Sequence, residues 1–270
     1  IVALARMPKF TFTNDEEFKI PVEISNFSAT ELNKAETTYS LTDDFGKTYA
    51  HGILSTKNIP LGSNISLGTI NEKLNNIGEA MKLTLTVNVS SADGETKNHW
   101  DFWVYPAKIE EANSDGIYIS DTLDTEAIKT LQNGGRVLLT AAGKIRYGND
   151  IVQYYTPVFW NTSWFKMRPP HTTGAYINNC HPIFDEFPTE DWSSLQWWEL
   201  MNKTQVMNFN EFPKDFQPTV QSIDTWFISR KAGTLFEANV LGGKLVMTSM
   251  DITSDLNHRI VARQLRKSMI

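Results

Sequence analysis

Residues from about 8 to 106 alternate apolar and polar positions with a period of two, the pattern of half-buried strands. Phe10–Thr–Phe–Thr13, Phe18–Lys–Ile–Pro–Val–Glu–Ile24, Thr38–Tyr–Ser–Leu41, Met81–Lys–Leu–Thr–Leu–Thr–Val–Asn–Val89 and Trp100–Asp–Phe–Trp–Val–Tyr105 all read this way. Leu83, Leu85, Val87 and Val89 share one face, because side chains alternate along a strand. Turn signals separate these runs at Asn14–Asp15, Asp43–Asp44–Phe45–Gly46, Pro60–Leu61–Gly62 and Ala92–Asp93–Gly94. The Asp93–Gly94 pair suits a tight hairpin. Pro106 closes the series. About seven short strands with frequent turns predict an all-β, immunoglobulin-like sandwich over residues 1–106.

Residues 107–115 are polar and short and read as a linker. Over 116–270 the pattern changes to alternating strand and helix. Gly116–Ile–Tyr–Ile–Ser120 is a strand, and Asp124 is placed to cap a helix whose apolar face is Ala127, Ile128 and Leu131. Gly134–Gly135 stops that helix. Arg136–Val–Leu–Leu–Thr140 is nearly continuous in apolar character, as expected of a strand covered on both faces. Strand, helix and strand in this order form a βαβ unit with parallel strands. Residues 141–180 read as a long loop region rich in aromatics, broken at Pro169–Pro170. Later strands fall at 204–209, 219–226 and 234–240, and Leu241–Gly242–Gly243 turns the chain into Lys244–Ser249. From about 255 a helix presents Ile260, Val261, Leu265 and Met269 on one side and Arg263, Arg266 and Lys267 on the other. The expected fold of this half is an open α/β, mostly parallel sheet, flavodoxin-like or glutamine-amidotransferase-like, with an antiparallel addition near its end.

The chain has 270 residues and a formal net charge of −6. That is comfortable for two domains, and the sign of the charge disfavours nucleic acid and anionic membranes as partners. Cys180 is the single cysteine, which excludes an intrachain disulfide and a multi-Cys metal site; its expected state is a buried, inert thiol. The opening at Ile1 without Met, and the end inside a helical pattern at Met269–Ile270, lead us to expect an excised piece of a longer polypeptide. There is no signal-peptide pattern and no apolar run of membrane-spanning length.

The candidate chemistry is sparse. Cys180 beside His181 lacks the Gly-x-Cys-x-Gly elbow of glutamine amidotransferases, so a Cys-dependent hydrolase is the weakest of three readings. The five His residues show no metal-ligand spacing, and Asp43–Asp44 lacks the ligands of a continuous calcium loop. No Gly-rich phosphate loop follows a strand, so neither a nucleotide nor any other cofactor is expected. Asn71–Glu72 reads as a solvated pair between strands, and Asn210–Glu211 as a loop pair before Phe212–Pro213. Eight Trp and fifteen Phe are the compositional surplus. Trp160, Trp164, Trp192, Trp197 and Trp198, with Asp191 or Glu199 accepting hydroxyls, are the candidate residues for carbohydrate or interdomain contact. Adjacent Trp197 and Trp198 are not expected to share one core.

Several separated segments also carry a family resemblance. They are His181–Pro–Ile–Phe–Asp–Glu–Phe–Pro–Thr–Glu–Asp–Trp192, Gln196–Trp–Trp–Glu–Leu200, Leu235–Phe–Glu–Ala, and Gly242–Gly–Lys–Leu–Val–Met–Thr–Ser–Met–Asp251. In order, they resemble the carboxy-terminal region of family 2 glycoside hydrolases of the β-galactosidase type from carbohydrate-degrading gut bacteria. The resemblance spans about 116–268; the sandwich half resembles accessory β-domains of the same enzymes in pattern. It implies a periplasmic or extracellular parent enzyme acting on β-linked glycans. Its catalytic barrel and paired carboxylates would lie upstream of Ile1, and those upstream domains would be this region's partners. No catalytic residue carries over. Two functions stay open: a non-catalytic scaffold of the glycosidase, and a carbohydrate-binding module.

Overall fold

The computed structural model describes residues 1–110, 112–148, 150–153, 174–225 and 228–270. The chain forms two compact units, Ile1–Ile109 and Glu110–Ile270.

The first unit is an all-β sandwich of eight strands: β1 (Val2–Ala5), β2 (Thr11–Thr13), β3 (Glu17–Asn26), β4 (Leu32–Thr42), β5 (Thr48–Ile59), β6 (Gly62–Lys73), β7 (Met81–Ser91) and β8 (Gly94–Tyr105). One sheet has the order β1-β3-β6 and the other β2-β8-β7-β4-β5. All ladders are antiparallel except β2 with β8. The period-two runs become the inner faces. Phe18, Ile20, Val22 and Ile24 of β3 and Leu83, Leu85, Val87 and Val89 of β7 are buried in one core shared by both sheets. Each such side chain contributes about 2 kcal/mol of burial. A one-residue slip of β7 would expose four of them, roughly the whole stability of a domain. The register is therefore fixed by the core. β1, β5 and β6 are strands that the pattern did not isolate, because β5 and β6 mix apolar and polar residues on both faces. The β7–β8 turn is centred on Ala92–Asp93, one residue earlier than expected, with Gly94 opening β8 at φ 136°.

Asn71–Glu72 does not lie between strands. Both residues belong to β6, paired with Lys19 and Phe18 of β3. Glu72 accepts a hydrogen bond from the Tyr39 hydroxyl. The Tyr39 ring lies over Gly52, its cross-strand neighbour on β5. A Cβ added at Gly52 would sit 2.8 Å from the Tyr39 oxygen and 2.9 Å from Cε1. Burial, and then the Glu72 carboxylate, push the Tyr39 hydroxyl up to about 12, so it remains a neutral donor through the physiological range.

The second unit contains β9 (Ile117–Ser120), α1 (Thr125–Gln132), β10 (Arg136–Thr140), β11 (Val152–Gln153), β12 (Ala175–Ile177), α2 (Trp198–Met201), β13 (Thr204–Gln205), β14 (Met207–Asn208), β15 (Val220–Ser222), β16 (Ala232–Val240), β17 (Gly243–Thr248) and α3 (Ile260–Met269). Asp124 caps α1 as expected, accepting from the Ala127 amide at 2.8 Å. The β9–α1–β10 unit is parallel, and β17 lies parallel to β10 on its other side. Val137 and Leu139 pack with Ala127 and Leu131 of α1. Leu138 points to the opposite face and is also buried, as the apolar run of β10 requires. There, Ser268 on α3 donates to the Ile183 carbonyl at 2.7 Å, and Gln264 donates to that of Glu186 at 2.6 Å.

The expected mostly parallel sheet is corrected. Its order is β12-β15-β16-β17-β10-β9, with β14 also on β16. The ladders β16–β17, β15–β16, β12–β15 and β14–β16 are antiparallel. The sheet is mixed, with few helices, and is not a flavodoxin or glutamine-amidotransferase arrangement. The physical reason is connection length. A parallel pair needs a crossover of a dozen or more residues, whereas two residues suffice for a hairpin. Between Val240 and Gly243 only Leu241 and Gly242 intervene, with φ of 54° and 94°. Two successive positive φ values match the twist of a tight hairpin.

Before β16, Arg230 clamps Asp224. Nε and Nη2 donate to the carboxylate at 2.8 and 3.0 Å, and the Arg230 amide adds a bond at 2.8 Å. The Asp224 side chain is 2% exposed. Burial alone pushes its carboxyl up, but the Arg230 guanidinium and the Arg230 and Thr225 amides outweigh it and hold the group below the usual range.

Two outcomes follow from these contacts. Gly52→Ala should destabilise the sandwich by about 1–3 kcal/mol, the usual cost of overpacking, read as a lower urea midpoint; an unchanged midpoint would refute the close approach. Asp224 has a folded pKa below its unfolded one, so its contribution is complete above about pH 4 and is lost as pH falls through the folded value. Asp224→Asn should cost about 3 kcal/mol at neutral pH and flatten that acid limb in a pH series of denaturation curves.

Candidate functional site

β15 pairs with β16 only as far as Val220 opposite Leu235. Along 236–240, β16 has β17 as its one ladder partner among the described residues. The gap beside that free edge is a groove of about 590 Å³. Tyr176 of β12 and Gln221 of β15 are directly opposite each other and face it together. Glu237 and Asn239 of β16 enter from one face, two residues apart. Asn178, His181, Gln217 and Thr219 complete the lining. The strand-like segment 191–193 fixes the rim. Ile177 donates to the Asp191 carbonyl at 2.8 Å, and Ser193 to that of Ala175 at 3.0 Å. This brings Trp192, 61% exposed, edge-on to Tyr176, 40% exposed, with ring centroids 5.4 Å apart. Glu237 lies between His181 Nε2 and Lys244 Nζ, each 3.6 Å from one of its oxygens. Aromatic faces with neutral amides and hydroxyls suit a hydroxyl-rich ligand: the rings supply apolar area and the amides both donors and acceptors.

A second groove of about 480 Å³ lies at the carboxyl ends of β9, β10 and β17, where ligands bind in many α/β sheets. Its carboxylates are committed to neighbours. Asp121 is 2.5 Å from Lys144, which holds its carboxyl below the usual range. Asp251 accepts from the Thr253 and Ser254 amides at 3.0 Å and lies 3.1 Å from Arg259. Burial pushes its carboxyl up, but those amides and Arg259 bring it below the usual range. Glu199 is pushed up by burial, although it accepts from the Ala262 amide in the first turn of α3 at 3.0 Å. Opposed shifts mark acid/base pairs when both groups face one bond. Here a helix cap and a turn explain them instead, and Arg259 ties both carboxylates together.

The sequence candidates separate. Trp192 packs on Tyr176, which lines the first groove, while Asp191 is placed beside it by its backbone bond to Ile177 and is not one of the lining residues. Trp197 is fully buried; its indole N–H donates to Thr189 at 3.0 Å, and its ring packs edge-on to Phe184 and Phe187. It is a core residue, available to neither sugar nor another domain. Its neighbour Trp198 is 54% exposed, the divergence expected of adjacent residues. Glu199 lies in the second groove. Trp160 and Trp164 fall outside the described residues, as does most of the expected aromatic loop of 141–180.

Cys180 is exposed, not buried. The turn closed by the His181 amide on the Asn178 carbonyl, at 3.0 Å, carries the thiol outward. His181 Nδ1 instead accepts from the Ile183 amide, capping the 3₁₀ turn Pro182–Phe184. The Asn210–Glu211 pair is a turn, as expected, with the Asn210 side chain accepting from the Lys231 amide at 2.9 Å. Among the described residues no group of three or more His, Cys, Asp or Glu could hold a metal ion. Tyr176, Asn178, Gln217, Gln221, Glu237 and Asn239 were missed, because they come from separate strands and the loops beside them. The one available signal was Glu237 and Asn239, polar and in phase with the buried Leu235.

A family described as a domain of unknown function, DUF8487, matches residues 118–270, more than half of the chain. The chain belongs to this family. A second domain of unknown function, DUF8488, matches residues 16–106. No curated protein matches. Solved structures with distant likeness include the periplasmic chaperone SfaE, with 8% identity and a TM-score of 0.29 over 44% of this chain and 66% of that one. A Parabacteroides merdae β-glucuronidase shows 14% identity and a TM-score of 0.26, over 47% of this chain and 19% of that one. A family 123 glycoside hydrolase from Clostridium perfringens shows 9% identity and a TM-score of 0.28, over 48% and 27%. The chain thus covers less than two thirds of each of these proteins, and likeness at this level carries no argument.

Trp197→Ala should lower stability by about 3–5 kcal/mol, whereas Trp198→Ala should stay within about 0.5 kcal/mol. Chemical denaturation of both variants checks this, and equal effects would contradict the two environments.

Proposed function

We propose that this chain is a non-catalytic accessory region of a family 2 type glycoside hydrolase, and that its second unit contacts the β-linked glycan on which the parent enzyme acts. The observation that carries the reading is the exposed Tyr176–Trp192 pair at the rim of an amide-lined groove. Paired aromatics that stay at the surface cost burial energy unless something covers them, and sugar rings offer apolar faces ringed by hydroxyls. The committed carboxylates of the second groove support an accessory role, since glycoside hydrolysis asks for two carboxyls facing one glycosidic bond. The strand orders of the sandwich support an immunoglobulin-like reading of the first unit. On this reading the partners are upstream catalytic domains of the same polypeptide, and the parent enzyme is periplasmic or extracellular.

A second reading has its own observation. Leu195 and Trp198 are 45% and 54% exposed and three positions apart across a 3₁₀ turn that places them on one side. They would dock this unit on a neighbouring domain, a role compatible with glycan contact elsewhere.

Titration calorimetry with β-linked gluco- and galacto-oligosaccharides should show binding. Tyr176→Ala and Trp192→Ala should each weaken it about three- to tenfold, the worth of an aromatic contact, while Trp198→Ala leaves it intact. The chain alone should not hydrolyse aryl β-glycosides. Turnover, or binding indifferent to both rim variants, would defeat the proposal.

A further inference from the structure

We infer that the groove selects neutral, hydroxyl-rich glycans and rejects uronic or sulfated ones, with Glu237 as the residue that sets this discrimination. The inference rests on the reading that the groove takes glycan, and adds the class of glycan. Two observations carry it.

The first is the hydrogen-bonding inventory. Asn178, Gln217, Gln221 and Asn239 all line the groove. Among the described residues none of their side-chain amides makes a hydrogen bond, and all four are exposed or half-buried. Each primary amide offers two donors and an acceptor in one plane, which matches adjacent hydroxyls that both donate and accept. Some other amides of this unit are used internally, as where Asn210 takes the Lys231 amide and Gln264 donates to the Glu186 carbonyl. What sets this groove apart is that four uncommitted amides surround one hollow beside exposed aromatics.

The second is the charge of the lining. Among the described residues it contains no Lys or Arg, and Glu237 is its one carboxylate. Recognition of a carboxylate or sulfate normally uses Arg or Lys as a charge-assisted donor. Lys244 contacts Glu237, but it lines the adjoining hollow with Met269 and Ile270 and not this groove. An anionic sugar would thus meet the Glu237 carboxylate, which Lys244 offsets only from the adjoining hollow, and would find no cation in the lining of the groove itself. The interaction of like charges at short range, partly screened at this half-exposed site, amounts to about tenfold or more in affinity.

The test uses the whole chain and matched probes: cellobiose and lactose as neutral ligands, and cellobiouronic acid, which keeps the β-linkage and adds one carboxylate. Dissociation constants are measured by calorimetry or saturation-transfer NMR at pH 7.5 in low salt. The expected result is that cellobiouronic acid binds about tenfold or more weakly than the better neutral disaccharide. In Glu237→Gln the ratio should shrink to within about threefold, because repulsion is removed while the shape stays. Asn239→Lys, at an exposed position that no core contact constrains, should shift the ratio the same way by supplying a cation. Equal or tighter binding of the acid to the unmodified chain would overturn the selectivity and leave glycan binding standing. A ratio unmoved in both folded variants would overturn the role of Glu237. Absence of binding by all three probes, with the thermal melt unchanged, would overturn both the selectivity and the glycan reading beneath it.

Discussion

The register of the β16–β17 hairpin governs the second unit, because a two-residue turn at Leu241–Gly242 leaves the chain one way to return. From Val240 opposite Gly243 to Leu235 opposite Thr248, every side chain on β16 is assigned a face. Phe236 and Ala238 go to the face covered by α1, with Val137, Leu139 and Leu245. Leu235, Glu237 and Asn239 go to the other. A slip of one residue would send Phe236 outward and Glu237 into the α1 core, at the price of a buried charge. β17 also joins the parallel strand β10, so this hairpin is where the sheet changes from parallel to antiparallel. The groove exists because β15 leaves β16 at Leu235, while the hairpin holds the remaining length of β16 in place.

The two grooves of this unit differ in how their polar groups are used. At the carboxyl ends of β9, β10 and β17 the charges answer one another: Asp121 with Lys144, Asp251 with Arg259 and two amides, Glu199 with a helix amide. Such a set stabilises the loops that follow the strands and leaves little unsatisfied for a ligand. Beside β16 the amides are uncommitted and the aromatics face out. The chemistry of recognition is therefore stronger in the groove that lacks the α/β sheet's usual ligand position.

Much of the architecture was legible from local rules. The β7 run from Leu83 to Val89 has a strict period of two, and the core enforces it. The Asp124 cap and the βαβ unit depend on residues close in sequence, so the pattern alone places them. The direction of β12 and β15 was not legible, because strands of three residues carry no sign of whether a neighbour is parallel, and the chain between β12 and β15, residues 178–219, is long enough for either. β5 was missed because residues such as Tyr49, Ile53 and Lys57 give it no single apolar face. At the candidate site, Trp192 could be found by its type. Trp197 could not be told from Trp198 without the packing of Phe184 and Phe187. Cys180 was misplaced because free cysteine is usually buried, and a turn overrode that tendency. Tyr176, Gln221 and Glu237 are brought together only by strand pairing, which no spacing along the chain records.

We propose glycan contact on the free edge of β16 and not at the carboxyl ends of the parallel strands. An amide NMR titration of the isotopically labelled chain with cellobiose or lactose tests this most directly. Saturable shifts are expected at Tyr176, Asn178, Gln221, Glu237 and Asn239, with the indole N–H of Trp192 moving alongside. Shifts confined to the Thr140–Lys144 and Ser249–Ser254 loops, with the β16 edge silent, would contradict it.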